Sequence, residues 1–178
     1  DQSENGGLFD KKVSVFARKA GYHYGWDWGP RLVTSGIWRP VYIEAWDNAR
    51  LSDVFIRQQE VSKSRASIVG EIEVQSEIDE ATLTVTDAAS GIVMAGKTVS
   101  LHKGNNKISL PFIIRNPRLW WSNGLGEQHL YDFRTALTIN NETSDIQSTK
   151  VGIRSLKIIN RPDKDGKTFY VELNGVPV

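Results

Sequence analysis

The chain of 178 residues contains no cysteine and only three histidines. Without thiols it can form no disulfide framework, no thiolate metal site and no cysteine nucleophile. The histidines are too few and too scattered for a recognisable metal cluster, since they stand at His23, His102 and His129. We therefore expect no metal ion and no cofactor, whereas the absence of cysteine leaves the cellular compartment undecided.

The chain also lacks an excess of either charge, with 22 Lys+Arg against 21 Asp+Glu. This balance argues against the sequence-independent attraction to phosphate on which non-specific nucleic-acid binding depends. No stretch approaches the roughly 18 consecutive apolar residues of a membrane span. Residues 1–10 have neither the basic start nor the apolar core of a signal peptide. We expect no nucleic-acid partner and no membrane span, and any export signal would lie outside this chain.

Helical periodicity is missing, because no long segment repeats apolar residues at i, i+3, i+4 and i+7. Short segments instead alternate apolar and polar residues, which places one face of a strand in a core and the other in water. Small and asparagine-rich turn signals separate these segments at 88–91, 103–106 and 140–142. About seven strands between 54 and 159 predict an all-β fold, an immunoglobulin-like antiparallel β-sandwich. The predicted buried faces are Ile68, Ile72 and Val74; Leu83 and Val85; Ile108, Leu110, Phe112 and Ile114; Tyr131, Phe133, Leu137 and Ile139; and Val151 and Ile153.

The two flanks of this region differ from it. Residues 1 to about 50 are rich in glycine and tryptophan, and only 35–45 is strand-like. After a polar loop at 161–166, residues 167–178 predict a hairpin with Asn174-Gly175 as a type I′ turn. Its second strand stops when it has barely begun, so we expect the chain to be a piece of a longer protein.

Four of the six tryptophans lie between Trp26 and Trp46. In the segment 25–31, Trp26 and Trp28 flank Asp27, and aromatic walls with a few polar groups are typical of ligand pockets. Such a site suits a sugar, whose apolar face stacks on an indole while its hydroxyls donate to a carboxylate. The alternative is that both tryptophans pack in a core while Asp27 caps a turn or pairs with Arg31. Composition alone favours this packing interpretation.

Other candidate residues have plain structural interpretations. The pair Trp120-Trp121 lies in a long loop, where one indole would plug the end of the sandwich core and the other would cover its rim. Glu71 and Glu73 fall on the solvent side of a strand, and Glu77, Asp79 and Glu80 cluster at a turn. His23, which stands between two tyrosines, is expected to pack rather than to act as a general base. The sequence contains no phosphate-binding loop and no Ser-His-Asp arrangement.

Several motifs follow one another in a characteristic order across the chain. Arg18-Lys19-Ala20 precedes the run YGWDWGPRLVTSGIWRPV at 24–41, and LWWSNGLGEQ at 119–128, VGIR at 151–154 and NGVPV at 174–178 follow. Together these motifs resemble glycoside hydrolase family 2, and the Trp-Asp-Trp-Gly-Pro part resembles its β-mannosidase branch. Ser122 stands where the family usually has proline, which affects a turn and not the chemistry.

The resemblance implies a domain organisation. Residues 1–48 would be the C-terminal remnant of a jelly-roll, sugar-binding-like domain, and residues 49–159 the immunoglobulin-like sandwich. Residues 160–178 would form the hairpin that leads into a (β/α)₈ catalytic barrel. The family's two catalytic glutamates belong to that barrel, so we expect this chain to have no catalytic residue and no activity of its own.

The resemblance also implies a function for the whole protein. It would be a retaining exo-β-mannosidase that releases terminal β-linked mannose from oligosaccharides, and its partner would be carbohydrate. Trp26, Asp27 and Trp28 would contribute to substrate binding, with Asp27 accepting hydrogen bonds from the terminal sugar. Three alternatives remain: a free-standing carbohydrate-binding sandwich, a fragment of another family 2 glycosidase such as a β-galactosidase, and a purely structural spacer.

The N-terminal tryptophans raise a question of burial, because each indole carries roughly 150–250 Å² of surface to bury. Trp26, Trp28, Trp38 and Trp46 could together expose more apolar area than the few hundred Å² that a soluble monomer tolerates. We therefore expect the N-terminal segment to be disordered or covered by another copy of the chain.

Overall fold

In the part of the chain that the structure describes, regular structure is almost entirely β-strand. The computed structural model describes residues 16–25 and 27–178, which divide into two compact units at the boundary between Glu44 and Ala45. The first unit contains a short 3₁₀ helix, Gly21–Tyr24. The strands among the described residues all lie in the second unit: β1 (Ala49–Val61), β2 (Arg65–Ser76), β3 (Glu80–Asp87), β4 (Val93–Ser100), β5 (Gly104–Arg115), β6 (Tyr131–Ile139), β7 (Glu142–Val151), β8 (Leu156–Ile159), β9 (Tyr170–Leu173) and β10 (Val176–Pro177).

The first seven strands form two sheets, in the orders β1-β2-β5 and β4-β3-β6-β7. Every pair of neighbouring strands in them is antiparallel. The predicted all-β sandwich is therefore confirmed. Across the described residues, no helix is long and apolar enough to cross a membrane.

The core lies between these two sheets and consists of the alternating residues. Phe112 of β5 and Phe133 of β6 meet edge to face across it, with ring centroids 5.5 Å apart, the preferred geometry of an aromatic pair. Thr135 occupies a core position between Phe133 and Leu137 and is fully buried. The predicted faces are largely confirmed: Ile68, Ile72, Val74, Leu83, Val85, Leu110, Phe112, Ile114, Phe133, Leu137 and Ile153 are buried, and Ile108, Tyr131, Ile139 and Val151 pack against them partly exposed.

Most of the predicted turns form at the predicted positions. Asn140 and Asn141 adopt φ values of 50° and 66°, and Asn174 and Gly175 adopt 51° and 84°. Positive φ at both central residues defines a type I′ turn, whose twist matches that of the flanking strands. The turn predicted over 103–106 is shorter, because β5 already begins at Gly104. The buried side chain of Asn106 bonds back to the backbone at His102 and Gly104 and closes this connection.

The prediction of a strand over 35–45 is wrong. No strand forms there, and apolar side chains in the segment are exposed, Ile43 at 97%. A strand exists only when a neighbour accepts its backbone hydrogen bonds, and no described strand pairs with this segment.

A third, smaller sheet has the order β10-β9-β8. The predicted hairpin is confirmed in it, with Val176 opposite Leu173 across the Asn174-Gly175 turn. Strand β8 lies within the range 49–159 expected for the sandwich, yet it pairs with β9. The sandwich strands therefore end at Val151, and a short linker of residues 152–155 leads into the third sheet.

Candidate functional site

The loop that carries the Trp-Asp-Trp motif is closed at its base by hydrogen bonds. The Leu32 amide donates to the His23 carbonyl oxygen at 3.1 Å. The Arg31 guanidinium donates to the carbonyl oxygen of Tyr24 at 3.1 Å and lies 5.2 Å from the centroid of the Tyr24 ring. Tyr24 itself is buried, so the two ends of the loop, at Tyr24 and at Arg31-Leu32, are fixed.

The side chains at the tip of this loop face solvent. Trp28 is 88% exposed, and Asp27 is exposed as well. Trp26 lies outside the described residues. The packing interpretation is therefore wrong for Trp28, which packs in no core formed by the described residues.

The loop can offer two kinds of contact to a ligand. An exposed indole face is a large apolar surface with a single N–H donor, and an ionised carboxylate accepts hydrogen bonds only. A sugar presents apolar C–H faces and many hydroxyl donors, so Trp28 and Asp27 are chemically suited to it. Their role, and that of Trp26, remains a prediction.

His23 lies at the base of the same loop and packs there. Its ring is half-buried, 4.7 Å from the ring of Tyr22 in a tilted contact.

The two indoles of the second aromatic loop, at 117–130, each lie against a glycine, one in the loop and one in the linker of residues 152–155. A Cβ on Gly152 would lie 2.7 Å from Cγ of Trp120, and a Cβ on Gly126 would lie 2.8 Å from Cγ of Trp121. Each indole therefore covers a backbone where only glycine fits. Both indoles are half-buried, and neither belongs to the core cluster or to the residues packed against it. The predicted plug at the end of the core is therefore wrong.

An exposed ion pair closes this loop. The Arg118 guanidinium donates to the Glu127 carboxylate at 2.5 Å, and the hydrogen bond holds the pKa of Glu127 below its ordinary value of 4.5. The backbone amide of Arg118 also donates to the Tyr131 hydroxyl at 2.9 Å. These contacts give the loop a structural role.

The paired glutamates form ion pairs on the outer face of the sandwich. Glu71 accepts from Arg57 at 2.6 Å and Glu73 from Lys107 at 2.7 Å, and the bond to Glu73 raises the pKa of Lys107. Exposed pairs of this kind contribute about 0–1 kcal/mol, as expected for a solvated face. Within residues 16–25 and 27–178, no group of three or more His, Asp or Glu side chains could hold a metal ion.

Comparison with known proteins places both parts of the chain in one family. The family model for glycosyl hydrolases family 2 matches residues 49–154. A second family model, described as glycosyl hydrolase 2 galactose-binding domain-like, matches residues 2–39.

Individual relatives agree with this result. Beta-mannosidase B of Emericella nidulans is 39% identical over 164 residues, which cover 90% of this chain and 19% of the relative. Beta-mannosidase B of Neosartorya fischeri is 36% identical over 190 residues, covering 100% of this chain and 21% of the relative. The chain thus spans about one fifth of the length of these curated relatives.

Solved structures extend the likeness to the fold. The crystal structure of the β-D-mannosidase from Dictyoglomus thermophilum matches with a TM-score of 0.79 and 31% identity, over 95% of this chain and 21% of that chain. The exo-chitosanase CsxA of Amycolatopsis orientalis shares the fold at 23% identity, with a TM-score of 0.61 over 74% of this chain and 15% of that chain. The family model alone covers more than half of the residues, and the chain belongs to glycosyl hydrolase family 2.

Proposed function

We propose that this chain is the non-catalytic scaffold portion of a retaining exo-β-mannosidase that hydrolyses terminal β-linked mannose from oligosaccharides. The observation that carries the proposal is the loop closed at its base by Tyr24 and Arg31, which leaves Trp28 at its tip 88% exposed. Relatives named Beta-mannosidase B support the substrate class. A retaining glycosidase needs two carboxyl groups about 5–5.5 Å apart, and we place both outside residues 1–178.

The proposed organisation has three parts. Residues 1–48 end a jelly-roll domain, residues 49–159 contain the sandwich, and residues 160–178 form the hairpin that leads into a catalytic barrel. The separate family models that match 2–39 and 49–154 support the first boundary. Because β8 pairs with β9, we count 156–159 with the hairpin in structural terms.

In this proposal Trp26, Asp27 and Trp28 complete one side of the sugar pocket. Asp27 accepts hydrogen bonds from hydroxyls of the terminal mannose, and the indole of Trp28 walls the pocket. Such contacts hold the sugar in a fixed position relative to the catalytic groups. Correct orientation of the reacting groups lowers the activation barrier and so raises the rate. The loop closure at Leu32 and Arg31 supplies the rigidity that this positioning requires.

The first test is hydrolysis of 4-nitrophenyl β-mannoside by the 178-residue chain alone. We expect no turnover. Turnover that disappears when a carboxylate within residues 1–178 is changed would contradict the proposal, because the chain would then carry its own catalytic acid.

The second test uses a chimera in which this chain replaces the matching fifth of the Dictyoglomus thermophilum enzyme. Asp27→Asn removes the charge and replaces one acceptor oxygen by an NH₂ donor, so a hydroxyl that donates to that oxygen loses its partner. Loss of a hydrogen bond to a charged group costs about 1.5–3 kcal/mol, so kcat/KM should fall by roughly 10- to 150-fold. Trp28→Ala should also lower it. The matched controls are Glu73→Gln and Phe55→Ala, a carboxylate and an exposed aromatic on the outer face of the sandwich. Equal activity of Asp27→Asn and Glu73→Gln would refute the assignment of Asp27.

Calorimetry with mannose and manno-oligosaccharides addresses the remaining alternatives. Saturable binding by the chain alone at low millimolar concentration, lost in Trp28→Ala, would favour a free-standing binding module. In the chimera, preference for an aryl β-galactoside over the β-mannoside would favour another family 2 specificity.

We further propose that the chain associates with itself through its N-terminal unit. Ile37, Trp38, Val41, Tyr42 and Ile43 are all largely exposed, and exposed apolar area beyond a few hundred Å² is typical of an interaction site. Analytical ultracentrifugation should detect dimers that dissociate in Ile43→Lys. A monomer at all concentrations would refute self-association.

A further inference from the structure

The linker of residues 152–155 connects the last sandwich strand to the third sheet, and two amide side chains hold it in place. The first is Gln58 of β1. Its Nε2 donates to the carbonyl oxygen of Gly152 at 3.2 Å, and its Oε1 accepts from the backbone amide of Arg154 at 2.8 Å. One side chain thereby attaches the linker to the sandwich at two successive points.

The second amide belongs to Asn174, at the turn of the β9–β10 hairpin. Its Oδ1 accepts from the backbone amide of Ser155 at 2.9 Å, and its Nδ2 donates to the carbonyl oxygen of Trp120 at 2.9 Å. Its own backbone amide donates to the carbonyl oxygen of Ser155, also at 2.9 Å. Asn174 therefore joins the third sheet to the linker and to the second aromatic loop.

Trp120 is the third residue that contacts the linker. Its backbone amide donates to the carbonyl oxygen of Ile153 at 2.8 Å. Its indole lies against Gly152, and the guanidinium of Arg154 lies 5.0 Å from the indole centroid. The same residue thus contacts the linker through its backbone and its ring.

Two clefts border this junction. A cleft of about 610 Å³ separates residues 58–61 of β1 from 154–157, and a second cleft of about 250 Å³ lies between 61–63, Leu119 and the third sheet. The buried residues of the third sheet, Ile159 and Leu173, do not belong to the core cluster of the sandwich. Besides the packing that buries Leu173, the hydrogen bonds of Gln58 and Asn174 and the Trp120 contact connect the third sheet to the sandwich.

We infer that Gln58, Trp120 and Asn174 form a junction lock that holds the β8–β10 sheet in one orientation on the sandwich. Asn174 is its central residue, because its side chain joins three segments. A type I′ turn accepts glycine or asparagine at this position, so the turn itself does not require the amide. In the longer enzyme, on the proposed function, the lock would direct the polypeptide that follows the hairpin.

The test compares Asn174→Gly with Asn140→Gly in the 178-residue chain. Both asparagines are the first central residue of a type I′ turn, with φ values of 51° and 50°. Glycine keeps each turn and removes the amide. In Asn174→Gly we expect the amides of β8, β9 and β10 to exchange hydrogen roughly 5- to 150-fold faster, as loss of two hydrogen bonds predicts. Protection of β1–β7 should stay the same, and Asn140→Gly should leave the third sheet unchanged.

Orientation is measured separately by residual dipolar couplings. In the parent chain, one alignment tensor should fit both the sandwich and the third sheet, whereas Asn174→Gly should require two. Gln58→Ala should act in the same direction. The double variant should lose less protection than the product of the two single effects, because members of one network do not act additively.

Two results would overturn the lock. One is unchanged exchange and a single tensor in Asn174→Gly. The other is an equal loss of protection in β1–β7, which would make Asn174 a residue of general stability. The chimera assay does not enter this test, so failure of the β-mannosidase proposal and failure of the lock are distinguishable.

Discussion

Substitution of Gly152 by alanine should destabilise the sandwich through one clash. The added Cβ would lie 2.7, 2.8 and 2.9 Å from Cγ, Cδ1 and Cβ of Trp120. Carbon atoms pack at about 3.5–4.0 Å, so the indole would have to move by about 1 Å. Both backbone groups of Trp120 are hydrogen-bonded and Arg154 lies over the ring, so this movement would disturb the junction lock.

The expected cost follows from measurements on overpacked interiors. Extra methyl groups in well-packed sites typically cost 1–3 kcal/mol. For a protein of this size, about 1 kcal/mol lowers Tm by roughly 2–4 °C, so Gly152→Ala should lower Tm by about 2–12 °C. Urea unfolding followed by circular dichroism measures the free-energy change directly.

Gly70→Ala is the matched control, because Gly70 lies in β2 of the same sandwich. Its added Cβ would meet Val85 at 3.6 Å, an ordinary contact. Replacing a glycine without strain stabilises by about 0.4–1 kcal/mol through the unfolded state. Trp120→Leu should partly rescue Gly152→Ala if the clash is the cause. Equal stability of Gly152→Ala and Gly70→Ala would refute the reasoning.

Three further predictions concern single side chains. Thr135→Val should raise the free energy of unfolding in urea by about 1 kcal/mol, because the buried Thr135 hydroxyl has no hydrogen-bond partner among the described residues. A lower urea midpoint in the variant would show that the hydroxyl does have a partner. Asn106→Ala should lower the free energy of unfolding by about 2–3 kcal/mol, because the buried amide makes four hydrogen bonds to the backbone. The control is Asn105→Ala at the exposed neighbouring position, which should change it by no more than about 0.5 kcal/mol. Equal effects of the two variants would contradict this explanation. By NMR titration Glu127 should have a pKa below 4.5 that rises in Arg118→Gln, and a midpoint that does not respond would exclude the ion pair. Because the folded pKa of Glu127 is the lower one, its contribution to stability is present above the unfolded pKa and is lost as the pH falls through the folded value.

The strands of the sandwich could be predicted because their information is local. Alternation in β2, β5 and β6 reports which face is buried, and a strand has only two faces. The turns at Asn140-Asn141 and Asn174-Gly175 could be predicted because few residues tolerate positive φ. These signals depend on neighbouring residues along the chain.

Predictions that depend on a partner strand or a covering surface were less successful. Residues 35–45 have the composition of a strand, but no described strand pairs with them. Strand β8 could not be assigned to a sheet in advance, because its pairing with β9 is a property of the fold. For the same reason, the prediction from composition that Trp28 packs in a core was wrong, because an indole is buried only where another surface covers it.

By itself, the sequence determined the family, the all-β class, most strand faces and the turns, because motif order and periodicity can be read along the chain. Only the tertiary structure decided which side chains meet at the junction. Gln58 lies 94 positions from Gly152, and Asn174 lies 54 positions from Trp120. Hydrogen bonds between amides and distant backbone groups leave no periodic signal, so the side chain of Asn174 could be recognised in the sequence only as part of a turn.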